Sequence, residues 1–137
     1  MASPKSKKNA SVIYRQLLEA ATKEFADKGY AGARMDEIAR KAKINKAMIY
    51  YHIGDKEALY TAVLNATFGN MATVMEKNIM WEKPPAENLH LYFQTIGHSI
   101  LQNPRIPPIM LRETASGGQN LPEAVVQSLS TILEILA

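Results

Sequence analysis

Two short helical patterns separated by three residues constrain the fold of this chain more than any other feature. Residues 35–42 have an apolar side typical of a short amphipathic helix. Residues 46–52 form a second short pattern that carries three consecutive ring side chains, Tyr50, Tyr51 and His52. Two short helices joined by a tight turn, the second with a polar and aromatic outer face, are typical of proteins that read the DNA major groove. The pattern therefore predicts a helix-turn-helix that binds DNA.

Positive charge is concentrated in the same half of the chain. Residues 1–60 contain twelve Lys and Arg against seven Asp and Glu, whereas residues 61–137 contain four against six. Such asymmetry favours contact with phosphates, although a basic stretch is also often only a solvated tail. Residues 1–10 are polar and basic without periodicity, which predicts a flexible arm. Its Lys5, Lys7 and Lys8 either reach phosphates or a minor groove, or belong to an ordinary disordered tail.

Composition excludes several other classes of protein. The 137 residues include no cysteine, so disulfides and thiolate metal ligation are impossible and a cytoplasmic setting is expected. The N-terminus resembles no secretory signal and no apolar run is long enough to cross a bilayer, so we expect a soluble protein without a membrane partner. His90 and His98 are too few to form a metal site, and we expect neither a metal nor a cofactor.

Helical periodicity continues along the whole chain, and no alternating strand pattern competes with it. The predicted helices cover residues 11–28, 35–42, 46–52, 55–80, 86–101, 109–114 and a last segment that opens near residue 122. Ser11, Asn45 and Asp55 are expected as N-caps, and Gly29 as the end of the first helix. The prediction is an all-α chain with a helix-turn-helix domain at 11–60 and a second helical domain at 61–137.

The last helix carries an unusually strong apolar stripe. Its members are Val125, Leu129, Ile132, Leu133 and Leu136. A stripe of this kind needs a partner surface, which either a second chain supplies or a longer version of the protein contains. The alternative is that these residues complete the internal core of a monomer.

The first sixty residues resemble the tetracycline-repressor-like (TetR) family of bacterial transcription regulators. The matching segments are residues 20–25, 28–30, 36–39, 45–52 and 55–59, in the order and spacing typical of the family. Residues 61–137 resemble the family's helical domain for effector binding and dimerisation, without the further helices that usually form the dimer interface. The resemblance implies a three-helix DNA-binding domain followed by a partial ligand-binding domain.

The chain departs from the family pattern at three places. Ala33 and Arg34 stand where members usually have Thr or Ser to open the second helix, so Arg34 is expected to contact phosphate by charge instead. Lys43 replaces the usual turn glycine, and a non-glycine residue in the left-handed conformation costs on the order of 1 kcal/mol. Met48 replaces a small polar residue and is limited to apolar contacts, for example with a thymine methyl group.

The third helix supplies most of the expected DNA contacts. Lys46 is the best candidate for donating to guanine O6 and N7, with a phosphate contact as the alternative. Ala47 allows close approach to the groove, and Tyr51 lies on the same face. Tyr50 and His52 are expected to bond phosphates, as is Lys56 at the start of the fourth helix. The full predicted set is Arg34, Lys43, Asn45, Lys46, Ala47, Met48, Tyr50, Tyr51, His52 and Lys56.

The second domain is expected to hold a small-molecule effector in an adaptable apolar pocket. The candidate lining residues are Met71, Met75, Phe93, His98 and Met110, although methionine at helical spacing is also common in ordinary cores. The leading interpretation is a homodimeric repressor that binds a palindromic operator in double-stranded DNA and is released by the effector. The alternatives are a non-specific DNA-binding protein and a helical-bundle enzyme, for which no catalytic constellation is evident.

Overall fold

The computed structural model describes residues 4–79 and 82–135, and every regular element in these ranges is helical. The helices are α1 (Pro4–Gly32), α2 (Met35–Ala42), α3 (Lys46–His52), α4 (Lys56–Asn78), α5 (Pro85–Gln102), α6 (Ile106–Ala115) and α7 (Glu123–Glu134). The prediction of an all-helical chain is therefore confirmed over the described residues. The chain divides into two compact units, Met1–Val63 and Leu64–Ala137, with the boundary inside α4.

The first helix begins earlier than the sequence predicts. Helix α1 starts at Pro4, so residues 4–10 are helical where a flexible arm was expected, and Ser11 lies inside the helix instead of capping it. Proline is favoured in the first turn, and lysine and alanine are good helix formers that need no apolar periodicity. Residues 1–3 lie outside the described part of the chain, as do the side chains of Lys5, Lys7 and Lys8.

Gly29 interrupts α1 as expected. Its φ of 73° and ψ of 175° are not helical, and only glycine adopts such angles without strain. The kink turns the chain so that the Tyr30 ring stacks on Phe25, with 6.3 Å between centroids. Tyr60 of α4 lies against both rings, 4.8 Å from Phe25 and 4.9 Å from Tyr30. This aromatic cluster joins α1 to the start of α4.

The remainder of the first core is aliphatic. Ile38 of α2, Ile49 of α3 and Leu59 of α4 are each fully buried. Each of the three helices after the kink, α2, α3 and α4, therefore contributes a large side chain to the same unit. Full burial of a side chain of this size contributes roughly 1.5–3 kcal/mol, and this burial holds short helices that would not be stable alone.

The second unit packs α4, α5 and α7 around a core of five buried residues, Met71, Ala72, Met75, Tyr92 and Ile132. Helix α6 begins at Ile106 rather than at residue 109, because Pro107 and Pro108 occupy its first turn, where proline is tolerated. The predicted stripe of α7 is only partly internal. Ile132 and Val125 are buried, whereas Leu133 is 66% exposed. Leu136 and Met80, which the sequence placed in helices, lie outside the described residues.

Candidate nucleic-acid interface

The turn between α2 and α3 is built around Lys43. Its φ of 58° and ψ of 41° are left-handed, and it is the non-glycine residue with positive φ in the described chain. The Ile44 N–H donates to the Ala39 carbonyl over 3.1 Å, and the Lys43 N–H donates to the Arg40 carbonyl over 3.2 Å. These two bonds form a Schellman motif, which normally has glycine at the left-handed position. The left-handed conformation expected of Lys43 is confirmed, and the lysine side chain is exposed at the turn.

Helix α3 begins with a side-chain cap. Asn45 Oδ1 accepts a hydrogen bond of 2.8 Å from the Ala47 N–H, which confirms the predicted cap. The helix ends at His52, and just beyond it the Gly54 N–H donates to the Ile49 carbonyl over 3.2 Å. Gly54 has a φ of 122°, and a Cβ there would lie 3.1 Å from Ala58 Cβ, so another residue would be strained. Both ends of this seven-residue helix are therefore set by local chemistry.

One side of α3 is anchored and the other faces solvent. Ile49 is fully buried, whereas Tyr51 is 85% exposed and Tyr50 and Met48 are exposed to a lesser degree. The Tyr51 and His52 rings meet edge to face with 5.0 Å between centroids. Lys46 and Ala47 are exposed as well. The helix thus presents to solvent the side chains that the sequence predicted for DNA contact.

Lys46 is held by an acidic residue of α2. Its Nζ lies 2.7 Å from Asp36 Oδ1, and both side chains are well exposed. The hydrogen bond from Lys46 holds the pKa of Asp36 below its ordinary value of 3.8, and the bond to Asp36 raises the pKa of Lys46 above 10.5. Both groups are therefore charged at neutral pH. Asp36 was not predicted as part of the site from the sequence, although its position in the first turn of the predicted second helix was available as a signal.

Lys56 and Arg34 differ in how strongly they are held. The Lys56 Nζ lies 4.6 Å from the centroid of the Tyr30 ring and donates to the Ala33 carbonyl over 3.4 Å. This cation–π contact orients the lysine over the kink of α1. Arg34 is exposed at the N-cap of α2, and its side chain forms no cap hydrogen bond. The loss of a hydroxyl cap at this position agrees with the sequence prediction.

A buried carboxylate lies between α1 and α2, and it was not predicted from the sequence. Glu24 is fully buried, with Oε2 2.8 Å from Lys41 Nζ and Oε1 3.0 Å from Lys28 Nζ. The available signal was its position three residues after Ala21, on the apolar face of α1. An acidic residue at such a position needs a cationic partner, because an unpaired buried charge is very costly.

The five residues predicted for an effector pocket have different environments. Met71 and Met75 are buried in the core of the second unit, Met110 is half-buried, and Phe93 and His98 are exposed. A groove of about 260 Å³ lies elsewhere in this unit, at the start of α5 and near the ends of α4 and α7. It is lined by residues that include Ile79, Leu89, Tyr92 and Ile135. None of the five predicted residues lines this groove.

Comparison with known proteins agrees with this geometry. The family described as "Bacterial regulatory proteins, tetR family" matches residues 17–63, which include α2, α3 and the turn between them. The transcriptional activator FasR of Mycolicibacterium smegmatis is 45% identical over 58 residues, which are 42% of this chain and 26% of that protein. The transcriptional repressor NicS of Pseudomonas putida is 29% identical over 102 residues, which are 74% of this chain and 48% of that protein.

The similarity to solved structures extends into the second unit. A linker-substituted variant of HlyIIR, a hemolysin II transcriptional regulator, is 30% identical with a TM-score of 0.72, and the match covers 92% of this chain and 69% of that one. The matched part of the chain spans 26% of the length of FasR and 48% of the length of NicS. The fold and the exposed α3 are those of a helix-turn-helix protein of the kind found in bacterial regulatory proteins. The chain belongs to the tetR family of bacterial regulatory proteins.

No helix within residues 4–79 and 82–135 combines the length and apolar character that a membrane span requires.

Proposed function

We propose that this protein is a homodimeric transcriptional repressor of the bacterial cytoplasm, which binds a palindromic operator in double-stranded DNA and leaves it when a small-molecule effector binds. The observation that carries the proposal is the exposed face of α3, with Tyr51 85% exposed while Ile49 behind it is fully buried. A short second helix with one side anchored in the core and an exposed polar and aromatic outer face is the arrangement with which a helix-turn-helix reads the major groove.

The proposed contacts divide into base readout and phosphate binding. Lys46 stands at the first position of α3 and is proposed to donate to guanine O6 and N7, with Ala47, Met48 and Tyr51 approaching the groove. Phosphate contacts are assigned to Tyr50 and His52 of α3 itself, and to Arg34, Lys43 and Lys56 on the neighbouring segments. Asn45 acts indirectly, because its cap bond to Ala47 N–H orients the first turn of α3.

The left-handed Lys43 supports the phosphate assignment. A glycine would form the same turn without strain, so the lysine side chain is retained at a cost of about 1 kcal/mol. Its exposed position at the end of α2 points to a favourable role outside the fold itself. Contact with a phosphate beside the groove would supply that role.

Dimerisation is proposed because an operator must contain enough base pairs to be recognised in a genome. One recognition helix contacts too few base pairs to identify a site in a genome, and a two-fold dimer doubles the sequence that is read. The exposed Leu133 of α7 offers an apolar side chain for such an association. The effector is assigned to the second unit, with Met71, Met75, Met110, Phe93 and His98 of α4, α5 and α6 as the candidate lining residues.

The direction of regulation is proposed from NicS, which is named a repressor, whereas FasR is named an activator. Transcription in vitro from a template that carries the selected operator distinguishes the two. Repression requires that added protein lowers the transcript level and that the effector restores it. A rise in transcript would assign the chain to the activators.

Salt dependence of binding tests DNA recognition itself. Fluorescence anisotropy with a labelled duplex should show log K falling against log salt by roughly 0.9 for each phosphate contacted. Lys43→Ala removes one proposed phosphate contact and should reduce the magnitude of the slope by roughly 0.9. The control is Arg105→Ala, which removes one positive charge from the second unit. A slope near zero for the unmodified protein would refute the proposal, and an equal effect of both variants would refute the phosphate assignment of Lys43.

A further inference from the structure

An acidic side chain lies within the proposed DNA-contacting surface. Asp36 Oδ1 is 2.7 Å from the Lys46 Nζ, and the two side chains are 64% and 48% exposed. Asp36 is in the first turn of α2 and Lys46 is the first residue of α3. A negative charge therefore stands within hydrogen-bond distance of the lysine proposed to read a base, in the region where phosphates approach.

Phosphates and base edges make different demands on Lys46. Its ammonium group has three donor hydrogens, and guanine O6 and N7 are neutral acceptors that use two of them. The third hydrogen can stay on Asp36, so base contact and the ion pair are compatible. A phosphate instead brings a second anion to the same ammonium, next to the Asp36 carboxylate, and the two anions repel each other.

We infer that Asp36 is a specificity-determining residue, whose carboxylate opposes contact between Lys46 and the phosphates of random DNA while leaving the lysine free to bond a guanine. The inference rests on the proposed function and deepens it. Without Asp36, the Lys46 ammonium would add one more sequence-independent phosphate contact. With Asp36, the same ammonium contributes mainly where the matching base is present.

The electrostatic state of the pair supports this role. The hydrogen bond from Lys46 holds the pKa of Asp36 below 3.8, and Arg34 acts in the same direction. The carboxylate is therefore ionised at neutral pH. Because exposed ion pairs contribute little to folding, Asp36 can be replaced without loss of the fold.

The test compares Asp36→Asn with the unmodified protein on two duplexes of equal length. One duplex is selected by the protein from a random library and the other has random sequence. We expect the affinity for random DNA to rise roughly two- to fivefold, the range that one exposed ion pair can account for. The affinity for the selected duplex should change less, so that the ratio of the two affinities falls. The salt slope on random DNA should steepen by about 0.9.

Glu37→Gln is the matched control. Glu37 is the neighbouring residue in α2, and its Oε2 accepts from Arg40 over 2.8 Å instead of from Lys46. The control removes the same negative charge at the next position of α2. It should therefore raise the affinities for random and selected DNA by similar factors and keep their ratio unchanged. In a Lys46→Ala background, Asp36→Asn should lose its selective effect on random DNA.

Three results would overturn the inference. They are an unchanged affinity ratio in Asp36→Asn, an equal change of the ratio in Glu37→Gln, and persistence of the selective effect without Lys46. Failure of the proposed function is separate, because the unmodified protein would then show no preference for any selected duplex.

Discussion

The ammonium of Lys41 in α2 lies 2.8 Å from Oε2 of Glu24, a fully buried carboxylate of α1. Lys28, one turn after Glu24 in α1, contacts the other carboxylate oxygen over 3.0 Å. The pair between α1 and α2 joins residues that are 17 positions apart in the sequence. Because α2 is the first helix of the helix-turn-helix, this ion pair helps to set the position of α2 on α1.

Lys41→Ala should destabilise the protein through Glu24. The buried carboxylate would lose one of its two cationic partners, and hydrogen bonds to charged groups contribute roughly 1.5–3 kcal/mol. A decrease of that size in the free energy of unfolding is expected from urea denaturation. Arg40→Ala is the control, because Arg40 pairs with Glu37 on the exposed side of the same helix. If both variants lose the same stability, the Glu24 pair has no special structural role.

The same carboxylate should make stability depend on pH. Burial raises the pKa of Glu24, but hydrogen bonds from Lys41 and Lys28 outweigh it and leave the pKa below its ordinary value of 4.5. The unfolded chain then binds a proton at this group more readily than the folded protein does. The ionised Glu24 carboxylate therefore contributes fully to stability above pH 4.5, and this contribution is lost as the pH falls below that value and through the lower pKa of the folded protein.

Urea unfolding should be measured from about pH 3 to about pH 6, a range that brackets the ordinary carboxyl pKa. The contribution of Glu24 is the difference in the free energy of unfolding between the unmodified protein and Glu24→Gln. Asp36 also has a lowered pKa, and its effect is common to both proteins because Glu24 is not among the causes of that shift. The difference should shrink as the pH falls. A difference that is constant across the range would exclude ionisation of Glu24 as its source.

Replacement of Lys43 should separate stability from DNA affinity. Lys43→Gly relieves the left-handed strain and Lys43→Ala keeps it, so we expect the glycine variant to be the more stable by about 1 kcal/mol. Both variants lose the ammonium and should bind selected and random DNA more weakly by equal factors. Unfolding curves and anisotropy titrations of the two proteins measure both effects. Retained affinity in either variant would show that Lys43 contacts no phosphate.

Asn45→Ala should loosen the recognition helix. The change removes the 2.8 Å bond from Ala47 N–H, and loss of such a cap costs roughly 0.5–2 kcal/mol. Because α3 has seven residues, much of that loss should appear as faster amide hydrogen exchange within it. Asn45→Ser keeps an acceptor and should restore the protection. Unchanged exchange in Asn45→Ala would mean that burial of Ile49 alone holds the helix.

Local chemistry explains what could be predicted from the sequence. Asn45 and Asp55 were identified as caps because a cap bonds an N–H only two or three residues away, and the structure has those bonds at 2.8 Å and 2.9 Å. Gly29 and the helix-turn-helix bounds follow equally local rules of backbone conformation and apolar periodicity. The exposed face of α3 was predicted for the same reason, since helical periodicity alone assigns Ile49 and Tyr51 to different sides.

Only the tertiary structure decided which charged groups meet. Asp36 and Lys46 are ten residues apart, and Lys56 reaches the Ala33 carbonyl across 23 positions. No periodicity connects such residues, because their distance in space depends on how α1, α2, α3 and the start of α4 pack. The helical state of residues 4–10 also went unpredicted, since a polar segment without an apolar face carries no periodic signal. Sequence determined the helix-turn-helix and the caps at Asn45 and Asp55, and packing determined the pairing of charges between helices.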